Sequence, residues 1–147
     1  MRNDSLPVTG GCLCGAIRYE ADQTPYDAGY CHCRMCQKSL GNLFGAAVWF
    51  KLDHFHFVSG GPTWYESSNL VKRGFCGQCG SPIVYQRNEA DFLVIWMGTL
   101  DQPESYEPQA HYWTDSKIAW VDIHSDLPDA TKNLPSYKVT ISAAEKD

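Results

Sequence analysis

Hydrophobic residues along this chain fall into a succession of short strand candidates, the first of which alternates with polar residues at a period of two, the mark of a strand with one buried face. Ala16-Ile17-Arg18-Tyr19-Glu20-Ala21 sets the pattern, with Ile17 and Tyr19 on one side. Further strands are predicted at 43–50, 54–58 and 63–67, the last two divided by the turn signal Ser59-Gly60-Gly61-Pro62. Segments 70–75, 83–87 and 92–97 follow, and the last is wholly apolar, as a central strand would be. Segments 109–113 and 117–123 end the main set, with a weaker strand signal at 138–141. One stretch, about 33–40, reads as a short helix, with Gly41 placed to cap its C-terminus. Many short strands and one helix make the fold class mainly β.

Length and composition narrow the function. The 147 residues suit a single domain spanning 1–147, large enough to bury a real core. A chain that is 44% hydrophobic and 20% charged is globular rather than disordered, and 13% aromatic residues favour strands. The longest apolar run, Phe92 to Met97, falls far short of the roughly 20 residues of a membrane span. No membrane partner is expected. The stretch after Met1 has no apolar signal segment, and seven is an odd number of cysteines. Together these predict a cytoplasmic, reducing setting in which thiols are kept for metal or for chemistry. A net charge of −5, with no basic run longer than Lys72-Arg73, argues against nucleic acid as a partner.

The cysteines fall into three clusters: Cys12 and Cys14; Cys31, Cys33 and Cys36; Cys76 and Cys79. Residues i and i+2 of an extended segment share a face, so Cys12 and Cys14 can aim at one point. Cys76-Gly77-Gln78-Cys79-Gly80 has the gap and following glycine of a zinc-ribbon ligand loop. Cys33 and Cys36 are three apart on the short helix and share its face, with Cys31 entering just before. Two pairs make a closed four-thiolate site, whereas three thiolates leave a position open, as in catalytic zinc. Spacing alone also permits redox pairs or iron–sulfur ligation, and it does not fix which clusters share an ion.

At these residues the chain resembles a known family. Gly11-Cys12-Leu13-Cys14-Gly15 with Arg18-Tyr19, then Cys31-His32-Cys33-Arg34-Met35-Cys36 leading to Gly41, carry the first half of the match. Residues 73–82, Gly98-Thr99-Leu100-Asp101, His111 with Trp113, and Trp120 carry the rest, over about 8–128. The family is the glutathione-dependent formaldehyde-activating enzymes, which share their domain with centromere protein V. The resemblance implies an Mss4-like zinc-binding β fold and two zinc ions per chain. It implies a structural zinc on Cys12, Cys14, Cys76 and Cys79, and a catalytic zinc on Cys31, Cys33 and Cys36 with an open position. The implied activity is that of a carbon–sulfur lyase, joining the thiol of glutathione to formaldehyde as S-(hydroxymethyl)glutathione, or the reverse. The rival readings are a non-catalytic zinc-held binding module for a thiol or protein, and a chromatin module.

Zinc with four thiolates carries −2 and with three carries −1, which takes the chain from −5 to near −8. An anionic thiol then needs local cations, and Arg34 and Lys38, four apart on the helix beside the triplet, are either the partners of its carboxylates or an ordinary solvated helix face. His32, flanked by residues that face the metal, is expected to point away from it. His54 and His56 read as the polar side of a half-buried strand. His111 and Trp113 belong either to the core or to a pocket wall. Arg73, just before Cys76, is expected either to neutralise the four-thiolate site or to pair with a carboxylate. Trp49, Trp64, Trp96 and Trp120 are expected in the core.

Overall fold

The computed structural model describes residues 5–134. Ten strands are arranged in two sheets among these residues. The smaller sheet has the order β1-β2-β5, from β1 (Val8–Gly11), β2 (Arg18–Ala21) and β5 (Phe55–Ser59), all antiparallel. The larger adds β3 (Asp27–Cys31), β4 (Gly45–Lys51), β6 (Thr63–Glu66), β7 (Val71–Phe75), β8 (Pro82–Arg87), β9 (Phe92–Trp96) and β10 (His111–Tyr112). Its order is β10-β3-β4-β9-β8-β7-β6. The apolar segment β9 is the middle strand of the seven, as its composition predicts. Only β10 runs parallel to its neighbour, setting Tyr112 beside Cys31.

Strand alternation divides the larger sheet into two working faces. Val48, Phe50, Leu93, Ile95 and Val84 point one way and form a buried cluster with Ile17, Tyr19, Ala21 and Phe55 of the smaller sheet. Burying a side chain of this size removes about 1.5–3 kcal/mol of exposure cost. Ala47, Val94 and Trp96 point the other way, where Cys36, from the one α-helix among the described residues, packs on them. That helix, α1 (Arg34–Leu40), lies between β3 and β4. Gly41, at φ 63°, ends it in the left-handed conformation, its N–H returning to the Gln37 and Lys38 carbonyls.

The structure departs from the sequence pattern at four places. Strands β1 and β3 are not apparent from alternation. The predicted strand at 117–123 is absent: Val121 N–H closes a turn on the Ile118 carbonyl at 3.0 Å, and Lys117 Nζ reaches the Val121 carbonyl at 2.5 Å. Trp120 on that turn is 76% exposed, not core. At 109–113 only the two residues of β10 pair. The weak signal at 138–141 lies outside the described residues. Among them no helix is long and apolar enough to cross a membrane.

Candidate metal centres and the cavity beside them

Four cysteines meet where the β1–β2 and β7–β8 connections come together, joining the two sheets. The Sγ atoms of Cys12, Cys14, Cys76 and Cys79 lie within 4.8 Å of one another. Backbone N–H groups donate to these sulfurs, from Ile17 to Cys12 at 3.2 Å and from Gln78 and Cys79 to Cys76 at 3.4 and 3.5 Å. Such donors favour the thiolate, the form a metal binds. The Ser81 hydroxyl, 3.1 Å from Cys79 Sγ, and the Ser81 backbone bring that thiol down to about 5.

The other three form a separate group. Cys31 ends β3, Cys33 caps α1 by accepting from the Cys36 N–H at 3.3 Å, and Cys36 sits in the first turn. Their Sγ atoms also lie within 4.8 Å of one another, and among the described residues no fourth His, Cys, Asp or Glu ligand atom joins them. The Cys31 and Cys36 thiols, then the Cys36 N–H and Arg73, pull Cys33 down to about 3. Cys31 draws Cys36 down as well, but the charge held on Cys33 and burial outweigh it and raise Cys36 to about 12. Either group could hold a metal ion.

Arg73 corrects an expectation. Although it precedes Cys76 by three residues, its guanidinium turns to the triplet, with Nη1 and Nη2 3.7 and 3.8 Å from Cys36 Sγ. Strand β7 ends at Phe75 after a register shift at Gly74, so Cys76 leaves with its loop towards the core between the sheets while Arg73 stays on the face that carries Tyr85 and α1. Nη1 also donates to Ser39 Oγ and Nε to Ser67 Oγ, each at 3.2 Å, and the group lies 5.0 Å over the Tyr85 ring. Arg73 is 7% exposed, and none of these acceptors is a carboxylate. A buried cation without a carboxylate needs another anion. Thiolates at Cys31, Cys33 and Cys36 supply it, so this site fits a metal ion held by three sulfurs.

A cavity of about 160 Å³ opens against the triplet. One row of cross-strand neighbours, Trp49, Val94, Tyr85 and Arg73, makes its wall, each opposite the next across β4, β9, β8 and β7. Tyr112 from β10 stands 5.2 Å from Trp49 between ring centres, and Arg87, Phe92 and Trp113 add to the lining. The sequence signal for this wall exists in the aromatic and apolar residues spaced by two in β4 and β9. Arg87, Tyr85 and Tyr112 carried no signal of their own.

The remaining candidates are placed as follows. Arg34 and Lys38 do not line the cavity. They line an adjoining trough of about 790 Å³ that shares Met35, Arg73 and Trp96 with it. Arg34 donates to Gln37 Oε1 at 2.5 Å. His54 pairs with Asp22 at 2.8 Å from a 3-10 turn before β5, and His56 is exposed on β5. Trp49 and Trp64 are only partly buried.

His32 and His111 are both buried and face each other, Nε2 to Nδ1 at 2.9 Å. His111 Nε2 lies 2.8 Å from the His124 carbonyl, which can only accept, so that nitrogen carries the proton. His111 Nδ1 then accepts from His32 Nε2–H, and His32 Nδ1 remains bare and without a partner. Burial, then His111, takes His32 down to about 4.

The sequence and the fold have relatives. The chain is 27% identical over 137 residues to a protein of Halomonas elongata (strain ATCC 33173 / DSM 2581 / NBRC 15536 / NCIMB 2198 / 1H9), provisionally named a glutathione-dependent formaldehyde-activating enzyme, covering 83% of this chain and 84% of that protein. A crystal structure of a Rhodobacter sphaeroides protein aligns with a TM-score of 0.51 at 25% identity, covering 63% of this chain and 87% of the other. The family model described as glutathione-dependent formaldehyde-activating enzyme matches residues 7–116, three-quarters of the sequence, and the chain belongs to that family.

Proposed function

We propose that this protein is a zinc-dependent carbon–sulfur lyase that joins a small thiol such as glutathione to an aldehyde, and separates them again. The observation that carries this reading is the three-thiol group facing a cavity, with a buried guanidinium beside it and no fourth ligand among the described residues. Cys31, Cys33 and Cys36 hold one zinc in this reading, and Cys12, Cys14, Cys76 and Cys79 hold a second, structural one. A zinc ion held by Cys31, Cys33 and Cys36 would keep an added thiol deprotonated near neutral pH.

The chain's own groups set the conditions for that. Arg73 balances the single negative charge that three thiolates leave on a divalent ion, so the resting centre is neutral and tolerates one more anion. The cavity wall of Trp49, Val94 and Tyr85 keeps water from the reacting sulfur. Arg34 and Lys38 in the adjoining trough face the carboxylates of the thiol, and no Asp or Glu lines that trough.

Cobalt substitution tests the binding half of this reading. Adding glutathione to the cobalt-loaded chain is expected to strengthen the sulfur-to-metal absorption, saturably, and not in Cys36→Ser. In Arg34→Ala/Lys38→Ala the affinity is expected to fall about tenfold at low salt and to lose most of its salt dependence. An unchanged spectrum on adding thiol would refute the open site.

A further inference from the structure

The cavity is built for more than formaldehyde. Formaldehyde is close in size to one or two waters, each of which takes ~30 Å³ in the liquid. The space beside the triplet is about 160 Å³, and an apolar cavity of about 150 Å³ is enough to take benzene. Its chemistry agrees with its size. Trp49, Tyr85, Phe92, Trp96, Tyr112 and Trp113 all line it, and no acidic side chain does.

Glutathione itself does not explain such walls. Arg87 at the cavity and Arg34 and Lys38 in the trough next door can pair with its carboxylates, but the six rings offer nothing to its amides and ammonium group, which would lose hydration against them. Trp113 gives a second, independent observation. It is a bulky residue held at φ 58° and ψ 49°, a conformation that side chains of its kind rarely adopt. Its N–H donates to Thr131 Oγ1 at 2.6 Å, and the next residue, Thr114, is tied through its hydroxyl to Asp129. The strain is held in place by specific bonds, and it sets a 40% exposed indole on the cavity.

We propose that the aldehyde taken by this site carries a ring-sized apolar group, seated against these aromatic side chains, with formaldehyde the smallest member of the series. This rests on the thiol–aldehyde reading above. The thiol sulfur forms a bond to the carbonyl carbon as the carbonyl π bond breaks, its electron pair goes to oxygen, and that oxygen takes up the proton the thiol has lost. No oxidant or reductant is needed.

Stable mimics of the adduct test the proposal directly. Binding of S-benzylglutathione and of S-methylglutathione to the zinc-loaded full chain is read from tryptophan fluorescence, since Trp49, Trp96 and Trp113 line the cavity. The benzyl compound is expected to bind at least tenfold more tightly. Trp113→Ala is expected to cut that preference at least threefold, and Trp113→Phe to restore it. Exchange of formaldehyde with glutathione, measured on the same sample, separates the two claims. Accelerated exchange with no benzyl preference overturns this proposal and leaves the lyase reading standing. No exchange and no binding of either mimic overturns both.

Discussion

Arg73 shows how one side chain ties the fold to the chemistry. Its guanidinium is buried against Cys36, Ser39, Ser67 and the Tyr85 ring, so its charge is compensated only when the triplet is ionised. Arg73→Met is expected to leave a folded chain whose triplet binds metal and added thiol more weakly. The loss should be roughly 1.5–3 kcal/mol, the range for a hydrogen bond to a charged group, read from cobalt and thiol titrations. Arg73→Lys keeps the charge without the fork and should recover only part of it. Unchanged titrations in Arg73→Met would contradict the assignment. His32 makes a different prediction. Its folded pKa of about 4 lies below the ordinary 6.5, so the unfolded chain binds a proton that the folded chain does not. Its contribution is present above pH 6.5 and is lost as pH falls towards 4. The gap in denaturant midpoint between the protein and His32→Gln should therefore begin to narrow as pH falls below 6.5, read over the range in which both keep the same metal content, and a constant gap there would show that His32 does not titrate this way. At this scale the sequence was informative about the cysteines, whose spacing is their geometry. It was poor for Arg73, because a neighbour in sequence faced the opposite side of the sheet.

Among the elements, the connections that carry cysteines have unequal tasks. The four-cysteine group ties the β1–β2 connection of one sheet to the β7–β8 connection of the other. The triplet is assembled at the end of β3 and the start of α1, close together in sequence. Metal binding in such domains is worth on the order of 10 kcal/mol. Cys76→Ser is thus expected to unfold or aggregate the chain, and Cys36→Ser to remain folded with about half the metal. Calorimetry and metal analysis of the two variants distinguish them, and equal loss of folding would contradict the division. Strands with a clear apolar signal, alternating in β2 and continuous in β4 and β9, were legible in sequence. Strands β1 and β3 were hidden by glycines that close packing demands. A Cβ on Gly10 would lie 2.3 Å from Tyr19 Oη, and one on Gly29 would lie 2.7 Å from the Tyr112 ring. The reverse error, at 117–123, came from a pattern that alternates without a strand beside it to pair with.

For the molecule as a whole, the two faces of the larger sheet separate stability from chemistry. One face is closed by the smaller sheet around Tyr19, Phe50 and Ile95, and the other carries α1, the triplet and the aromatic cavity. This separation explains why the site was half legible. The candidate metal ligands come from local motifs, whereas the cavity wall is a row across four strands whose order no periodicity reveals. It also leaves the substrate to be read from the wall rather than from the ligands.

The central claim is that the three-cysteine group makes this chain an enzyme, and exchange NMR tests it most directly. The rate of exchange between free formaldehyde and S-(hydroxymethyl)glutathione would be measured with zinc-loaded protein, with Cys36→Ser and in buffer alone. The account predicts a rate well above buffer that disappears in Cys36→Ser. A rate equal to buffer with the zinc-loaded protein would contradict it and leave a zinc-held binding module.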